Sequence, residues 1–380
     1  MWYRFQLIRI PKRLGFLPLC LTVAVFSALS ATQSRAVDCQ QDLLEPYSEN
    51  ERSGESAEVN GPYQASDYLS NRTSVLGFLD FGRPGLYPQR AADMANRVIR
   101  MLTQGEPFAA IFHQLSDDRW HLAVEMFSKE AFPVARTWLP KFQASWDKYP
   151  PAINSFGQLR FTRATRTFER IDGYSEVFFF GDSEELEKAR KRDLLDFYVQ
   201  YSNQWKNCQE VVATEGQNEA RRLDLFSSLH RRGSCVGYNF YQSSKLGTVP
   251  LTAMFQKESS WPPSAQPLKV FSAVHPSPEK AEQLWAEVLE RFEELRKTPD
   301  PKIDDLLDIM FLYYNTVPYH RGSAMIGDAI LDGFYYFILK TKFPRSRSPQ
   351  GDFRDLIALL SPSKIIFRQH IQDTFLIGRK

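Results

Sequence analysis

The sequence predicts a mainly α-helical protein, with a few short strands in the middle of the chain and a helical core in its C-terminal half. Three observations predict it. Apolar residues recur at helical spacing through the C-terminal third. From about Ala65 the chain is dense in aromatic and aliphatic residues, and 29 Phe, 16 Tyr and 7 Trp among 380 residues suffice for a large core. Strand character falls in two mid-chain windows, Gln158 to Phe168 and Glu176 to Phe180. A chain that is 43% hydrophobic is neither disordered nor fibrous. Its formal charge of +2 argues against a nucleic-acid partner, because such binders present a strong positive field.

The first element is an export signal, expected over residues 1–36. Arg4, Arg9, Lys12 and Arg13 precede an uncharged stretch, Leu14 to Ser34, with an apolar centre from Phe16 to Ala31. Small residues permit cleavage after Ser30 or after Ala36, and the second is preferred. The apolar centre is shorter than the roughly 20 residues that span a bilayer. Asp38 before Cys39 does not fit a lipidation signal. The expected product is a secreted or periplasmic protein with no stable membrane anchor after cleavage. Its charge changes sign, because five basic and no acidic residues precede Asp38; loss of the leader leaves 42 basic and 45 acidic residues.

Residues 37–64 are polar, acidic and turn-rich, and read as a flexible linker. Cys20 leaves with the leader, so Cys39, Cys208 and Cys235 remain, an odd number. Cys208 and Cys235 enclose a loop whose closure is worth about 3–4 kcal/mol in the chain-entropy model, and they are the expected disulfide. Cys39, in its polar tail, is the expected free thiol. The alternative is three unrelated thiols in a reducing compartment. Asn71-Arg72-Thr73 is a glycosylation acceptor if the source is eukaryotic.

Residues 65–249 are expected to form a mixed helical part. Ala91 to Leu102 and Leu186 to Val199 read as helices. Arg160, Arg163, Arg166 and Arg170 read as a solvated basic face, and His230-Arg231-Arg232 as a polar turn. His113 and His121 flank Asp117 and Asp118, but eight residues apart they match no compact ligand spacing, so no metal site is expected. No Walker loop, GxSxG elbow or kinase signature is present, and no cofactor is assigned.

Residues 250–380 are the most legible part. Ser277 can cap a helix, Pro278 suits its first position and Glu279 complements the dipole; Ala281, Leu284, Trp285, Val288, Leu289, Phe292 and Leu295 then recur at helical spacing. Ile303 to Tyr314 carries acidic residues in its first turns and is apolar all round from Ile309, as a central buried helix should be. It is expected to stop near Asn315. Ser323 is the expected N-cap of a third helix bearing Ile326, Ile330, Leu331, Phe334, Tyr335 and Ile338. Asp352 opens a further helix through Leu360.

The link between the second and third of these helices reads Val317-Pro318-Tyr319-His320-Arg321-Gly322-Ser323-Ala324. The first N–H groups of the helix that follows lack intrahelical acceptors and carry the positive dipole end, which suits an anion. Arg321 adds a fork of donors, His320 can transfer a proton, and Gly322 lets a phosphate approach the backbone; Ser323 and Ala324 supply the helix start. An ordinary helical hairpin with a polar turn fits the same residues.

The order of these features resembles the core of Fic-type (Fido-fold) proteins. In that family an F-x-P-P segment leads into an amphipathic helix, and a buried helix then ends in the loop HPFx(D/E)GNGR. Here Phe271 and His275-Pro276-Ser277-Pro278 precede the first helix, Asp300-Pro301 the buried one, and VPYHRGSAM forms the loop. The resemblance covers roughly residues 250–345. It implies a shape-determining role for Pro318, Tyr319 and Gly322. Val317 stands where the family has its catalytic histidine, Arg321 where a carboxylate holds Mg²⁺, and Ser323-Ala324-Met325 replace Asn-Gly-Arg. Valine cannot take a proton, so the family's nucleotide transfer is not expected.

Two readings follow. In one, the loop still binds an anion, with Arg321 in place of the metal, and the protein is a pseudoenzyme, or His320 is the acid/base of a changed chemistry; the partner is a phosphate-bearing small molecule or protein target. In the other, the hairpin is a core element of an exported interaction protein. A secreted hydrolase with its site in the first two-thirds is a third class, with no nameable nucleophile–base pair. The leader also bears on the choice, because ATP is scarce where it sends the chain.

Overall fold

The computed structural model describes residues 60–68, 86–127, 157, 159, 175–180, 196–229, 234–259, 268–319, 322–344 and 354–377, all within the compact unit Leu43–Lys380. In chain order the helices are α1 (Leu86–Gln104), α2 (Phe108–Phe127), α3 (Cys208–Glu215), α4 (Gln217–Leu229), α5 (Pro278–Lys297), α6 (Ile303–Thr316), α7 (Ser323–Leu339), α8 (Arg354–Leu360) and α9 (Lys364–Ile371). The strands are β1 (Ser175–Phe180), β2 (Ser234–Ser243), β3 (Gly247–Ser259) and β4 (Leu268–Val274). The protein is mainly α, as the sequence predicts. The expected export signal lies outside the described residues, as does the linker up to residue 59. Among the described residues, no helix is long and apolar enough to cross a membrane.

Helix α6 is the centre. Its first turn carries Asp304 and Asp305 at the positive dipole end, and every residue from Leu306 to Thr316 is buried. It touches α5, α7, α8, α9 and β3. Helix α5 begins as its sequence dictates: the Ser277 hydroxyl accepts from the Lys280 N–H at 3.4 Å, and Pro278 takes the first position. The apolar stripe from Ala281 to Leu295 then faces the core, with Phe292 stacked on Phe108 of α2 at 4.6 Å between ring centroids. Each such large apolar side chain, fully buried, contributes about 1.5–3 kcal/mol.

Helix α7 packs on α1 as well as α6, and two glycines make this possible. A Cβ at Gly333 would lie 2.6 Å from the Val98 side chain of α1, and one at Gly327 would lie 2.5 Å from the Tyr313 ring of α6. Glycine inside a helix costs roughly 0.5–1 kcal/mol relative to alanine, a cost that close approach of both neighbours offsets.

The four strands form one antiparallel sheet in the order β1-β4-β3-β2. Strand β1 falls where Glu176 to Phe180 predicts it, whereas the window Gln158 to Phe168 lies outside the described residues except Leu159. Strands β2, β3 and β4 have no counterpart among the expected elements. Their register shifts twice, between Cys235 and Gly237 and between Tyr238 and Phe240. At the second shift the Asn239 side chain accepts from the Thr252 N–H at 2.7 Å, giving that donor a partner. Asn239 and Thr252 both donate to the Asn315 side-chain oxygen of α6, at 2.7 and 2.6 Å, and Asn315 in turn donates to carbonyls of Phe311 and Ala358. This wholly buried, satisfied polar knot fixes the sheet to the central helix.

The sheet has two covered faces. Tyr241, Val249, Met254 and Ala273 join the main core with α1, α2 and α5 to α9. Tyr238, Ala253, Phe255 and Val274 join a separate small cluster with Cys208, Val211 and Leu223 of α3 and α4. The expected disulfide closes here: Cys208 and Cys235 are bonded, with Cα atoms 6.2 Å apart. Residues on both sides of position 249 therefore share one sheet and one core. The last residues of the expected linker are docked too. Tyr63 is 2% exposed, exchanges hydrogen bonds with the Asn96 side chain through its backbone, and donates its hydroxyl to the Asp332 carbonyl.

Candidate functional site

The α6–α7 turn is built from the residues that the sequence singles out. Helix α6 ends because Val317 takes left-handed backbone geometry, φ 45°, with its N–H donating to the Tyr313 carbonyl. For a β-branched residue this is a strained conformation, and such strain persists only where surrounding packing over-determines it. The packing is present: Val317 is 6% exposed and Pro318 is buried.

Tyr319 anchors the turn. Its hydroxyl donates to the Phe112 carbonyl of α2 at 3.3 Å, its backbone pairs with that of Leu159, and its ring lies edge-on to Trp285 of α5. Burial, and then the nearby Asp117, push the phenol well above its ordinary range, so it stays neutral. Gly322, at φ 99°, opens the next helix, whose first intrahelical bond runs from the Ile326 N–H to the Gly322 carbonyl. This corrects one expectation. Gly322, not Ser323, is the N-cap. The Ser323 hydroxyl points back into the turn, accepting from the Tyr319 N–H at 3.1 Å and donating to the Tyr319 carbonyl at 3.0 Å. The chain enters α7 through a left-handed residue, so the side chain that would have capped the helix closes the turn.

Gly322, Ser323 and Ala324 are half-exposed at the N-terminus of α7. His320 and Arg321, the expected proton-transfer group and donor fork, lie outside the described residues. Another arginine lies beside the turn. Arg119 of α2, 8% exposed, packs its stem against Gly322, where a Cβ would lie 2.6 Å from its Cγ and 3.1 Å from its Nε. Sequence reasoning weighed its neighbours His113, Asp117, Asp118 and His121 for a metal and passed over Arg119. No periodic pattern connects positions some 200 residues apart.

Those neighbours have other roles. His113 lies 3.8 Å from Asp117 one helical turn on. Asp118 pairs with Arg97 of α1 at 2.7 Å and accepts from Gln114 at 3.3 Å. Burial raises the Asp118 carboxyl to about 6, against the lowering effect of Arg97. Among the described residues, no cluster of three His, Cys, Asp or Glu side chains could hold a metal. Arg160, Arg163, Arg166, Arg170 and the His230-Arg231-Arg232 segment lie outside the described residues.

Two further polar clusters are structural in their contacts. Arg354, 1% exposed, bridges Asp332 at 2.8 Å and Asp328 at 3.2 Å on α7; Tyr68 donates to Asp332 and Tyr314 to Asp328. At the α4 side of the sheet, Glu219 receives the Arg222 guanidinium and the Tyr238 hydroxyl, and Arg222 also donates to the His275 carbonyl. These contacts hold the Glu219 carboxyl below its ordinary value despite its burial. A cavity of about 160 Å³ lies near this second cluster, between α3 and the β2–β3 hairpin. It is remote in sequence from the α6–α7 turn. No family model matches the chain, and no curated protein matches it either.

Proposed function

We propose that this chain is an exported, Fic-like protein without the family's nucleotide transfer, and that its α6–α7 turn receives a phosphate-type anion. The observation that carries the reading is Arg119 packed against Gly322. It brings a guanidinium to the start of α7, where the first N–H groups lack intrahelical acceptors and the helix dipole favours negative charge. Arg321, next to Gly322 in sequence, would add a second cation. The aliphatic Val317, buried where the family has its base, argues for binding without proton transfer. The leader pattern and the Cys208–Cys235 disulfide support export, because disulfides persist in oxidising compartments. The partner under this reading is a phosphate-bearing small molecule or protein target.

Calorimetric titration with inorganic phosphate and with ATP tests this. Binding to the intact protein that weakens at least tenfold in Arg119→Ala is the expected result. No binding to the intact protein would remove the reading.

One observation favours a second reading. The Ser323 hydroxyl is already used inside the turn and the Tyr319 phenol on the Phe112 carbonyl of α2, as in a hairpin that needs no ligand. In that case the protein works through surface contacts, and Arg119→Ala, His320→Ala and Arg321→Ala leave its biological activity unchanged.

A further inference from the structure

The Cys208–Cys235 bond joins residues 27 apart in sequence, and the described elements that its loop contains are α3, α4 and the first residues of β2. We propose that this disulfide is a redox latch: its reduction by a dithiol frees the α3–α4 hairpin from the outer face of the sheet while the helical core stays folded.

Among the described side chains, the cover that the latch holds is thin. Helix α3 buries only Cys208 and Val211, and the described side chains of α4 add Leu223 and Arg222. These residues form a cluster separate from the main core. The 160 Å³ cavity lies between Val211 and Thr214 of α3 and Phe240 and Pro250 of the sheet. Its polar ties to the rest of the chain include the Tyr238 hydroxyl donating to Glu219, Arg222 donating to the His275 carbonyl, and Lys280 paired with Glu215. Opening the hairpin returns those charges to water, so they oppose release weakly. The main core, by contrast, has no described residue inside this loop.

The bond is open to attack. Cys235 is half-buried on β2, which is an edge strand. A dithiol thiolate attacks one sulfur of the bond, forming a mixed disulfide and releasing the other cysteine as a thiolate. The second thiol of the reductant then displaces the remaining cysteine. The protein gains two electrons and two protons as Cys208 and Cys235 become thiols, and the reductant leaves as its own disulfide. Cys208 sits in the first turn of α3, where the helix dipole stabilises a thiolate and so favours the reduced form. The latch stays closed where the leader would send the chain, and opens if the protein enters a reducing compartment.

Hydrogen exchange of the full-length oxidised protein, with and without dithiothreitol, reads the latch directly. Reduction is expected to raise exchange of the 208–229 amides by several hundredfold, roughly the scale of the loop-closure restraint removed, with α6 and α7 unchanged. The Cys208→Ser/Cys235→Ser variant should show the raised exchange without reductant and no further response to it. Unchanged exchange at 208–229 after complete reduction, verified by thiol alkylation, would overturn the proposal. So would an equal rise in α6, which would mean that the bond holds the whole fold.

Discussion

The two faces of the sheet are secured by different means. The inner face merges into a core in which α6 is buried from Leu306 to Thr316 and flanked by α5, α7, α8 and α9, and the Asn239–Thr252–Asn315 knot sets its position. The outer face is covered by two short helices that share a small apolar cluster with it, and a covalent bond supplies what burial does not. Hydrophobic stabilisation scales with area removed from water, so a small cluster is marginal by itself. A disulfide adds about 3–4 kcal/mol for a loop of this length without needing any further core. The protein thus has one region whose stability is distributed and one whose stability is concentrated in a single bond.

Mutations that strike one region at a time should separate them. The largest effect is expected from Arg354→Ala, which takes the cation from between Asp328 and Asp332 in the interior and should cost about 3–5 kcal/mol in urea unfolding. A loss below 1 kcal/mol would mean that this network does not hold the helical core. Next comes a pair of apolar truncations. Phe292→Ala, in the main core, should cost about 3–5 kcal/mol of global stability, whereas Leu223→Ala should cost about 2 kcal/mol or less and act mainly on local exchange of α3 and α4. Equal global effects would erase the distinction between the two faces.

A pH series sharpens the comparison for the α1–α2 side of the core. The folded Asp118 carboxyl lies near 6 against an ordinary value of 3.8, so between about pH 4 and 6 the native state holds a proton that the unfolded chain has released. Stability from this group is therefore present at low pH and falls as pH rises through that window, by at most about 3 kcal/mol. Subtracting the profile of Asp118→Asn from that of the native protein should isolate this fall; a flat or rising difference would contradict it. The smallest effect is expected from Ser277→Ala, which removes the α5 cap and should lower stability by about 1 kcal/mol.

The helices were legible where spacing and caps agree. Ser277-Pro278-Glu279 fixes the start of α5, the all-round apolar run marks α6 as central, and Ala91 to Leu102 lies within α1. The sheet was not legible beyond β1. Two register shifts interrupt the period-2 pattern in β2, and its buried positions include Asn239 and Ser243, polar residues that read as surface until their partners are known. Helices α3 and α4 escaped notice because a cover held by a disulfide needs little apolar periodicity. At the turn, the resemblance singles out Pro318, Tyr319 and Gly322 for its shape; Tyr319 is tied to α2 and α5, Gly322 supplies the left-handed entry to α7, and Pro318 is buried. The N-cap was misplaced by one residue because the preference for serine at that position does not reveal the left-handed entry at Gly322.

The sequence by itself predicted the helical class of the protein, the central place of Ile303 to Tyr314 and Cys208–Cys235 as the expected pair, with unpaired thiols as the alternative. All of these follow from local periodicity, from caps or from counting. Only the tertiary structure decided that Arg119 lies against Gly322, that Tyr63 docks on Asn96 and Asp332, and that Asn315 joins the sheet to α6. Each of those contacts joins residues that are far apart in the chain. Their energy depends on geometry that no local pattern encodes, because a buried polar group is stabilised only by a partner brought to it by the fold.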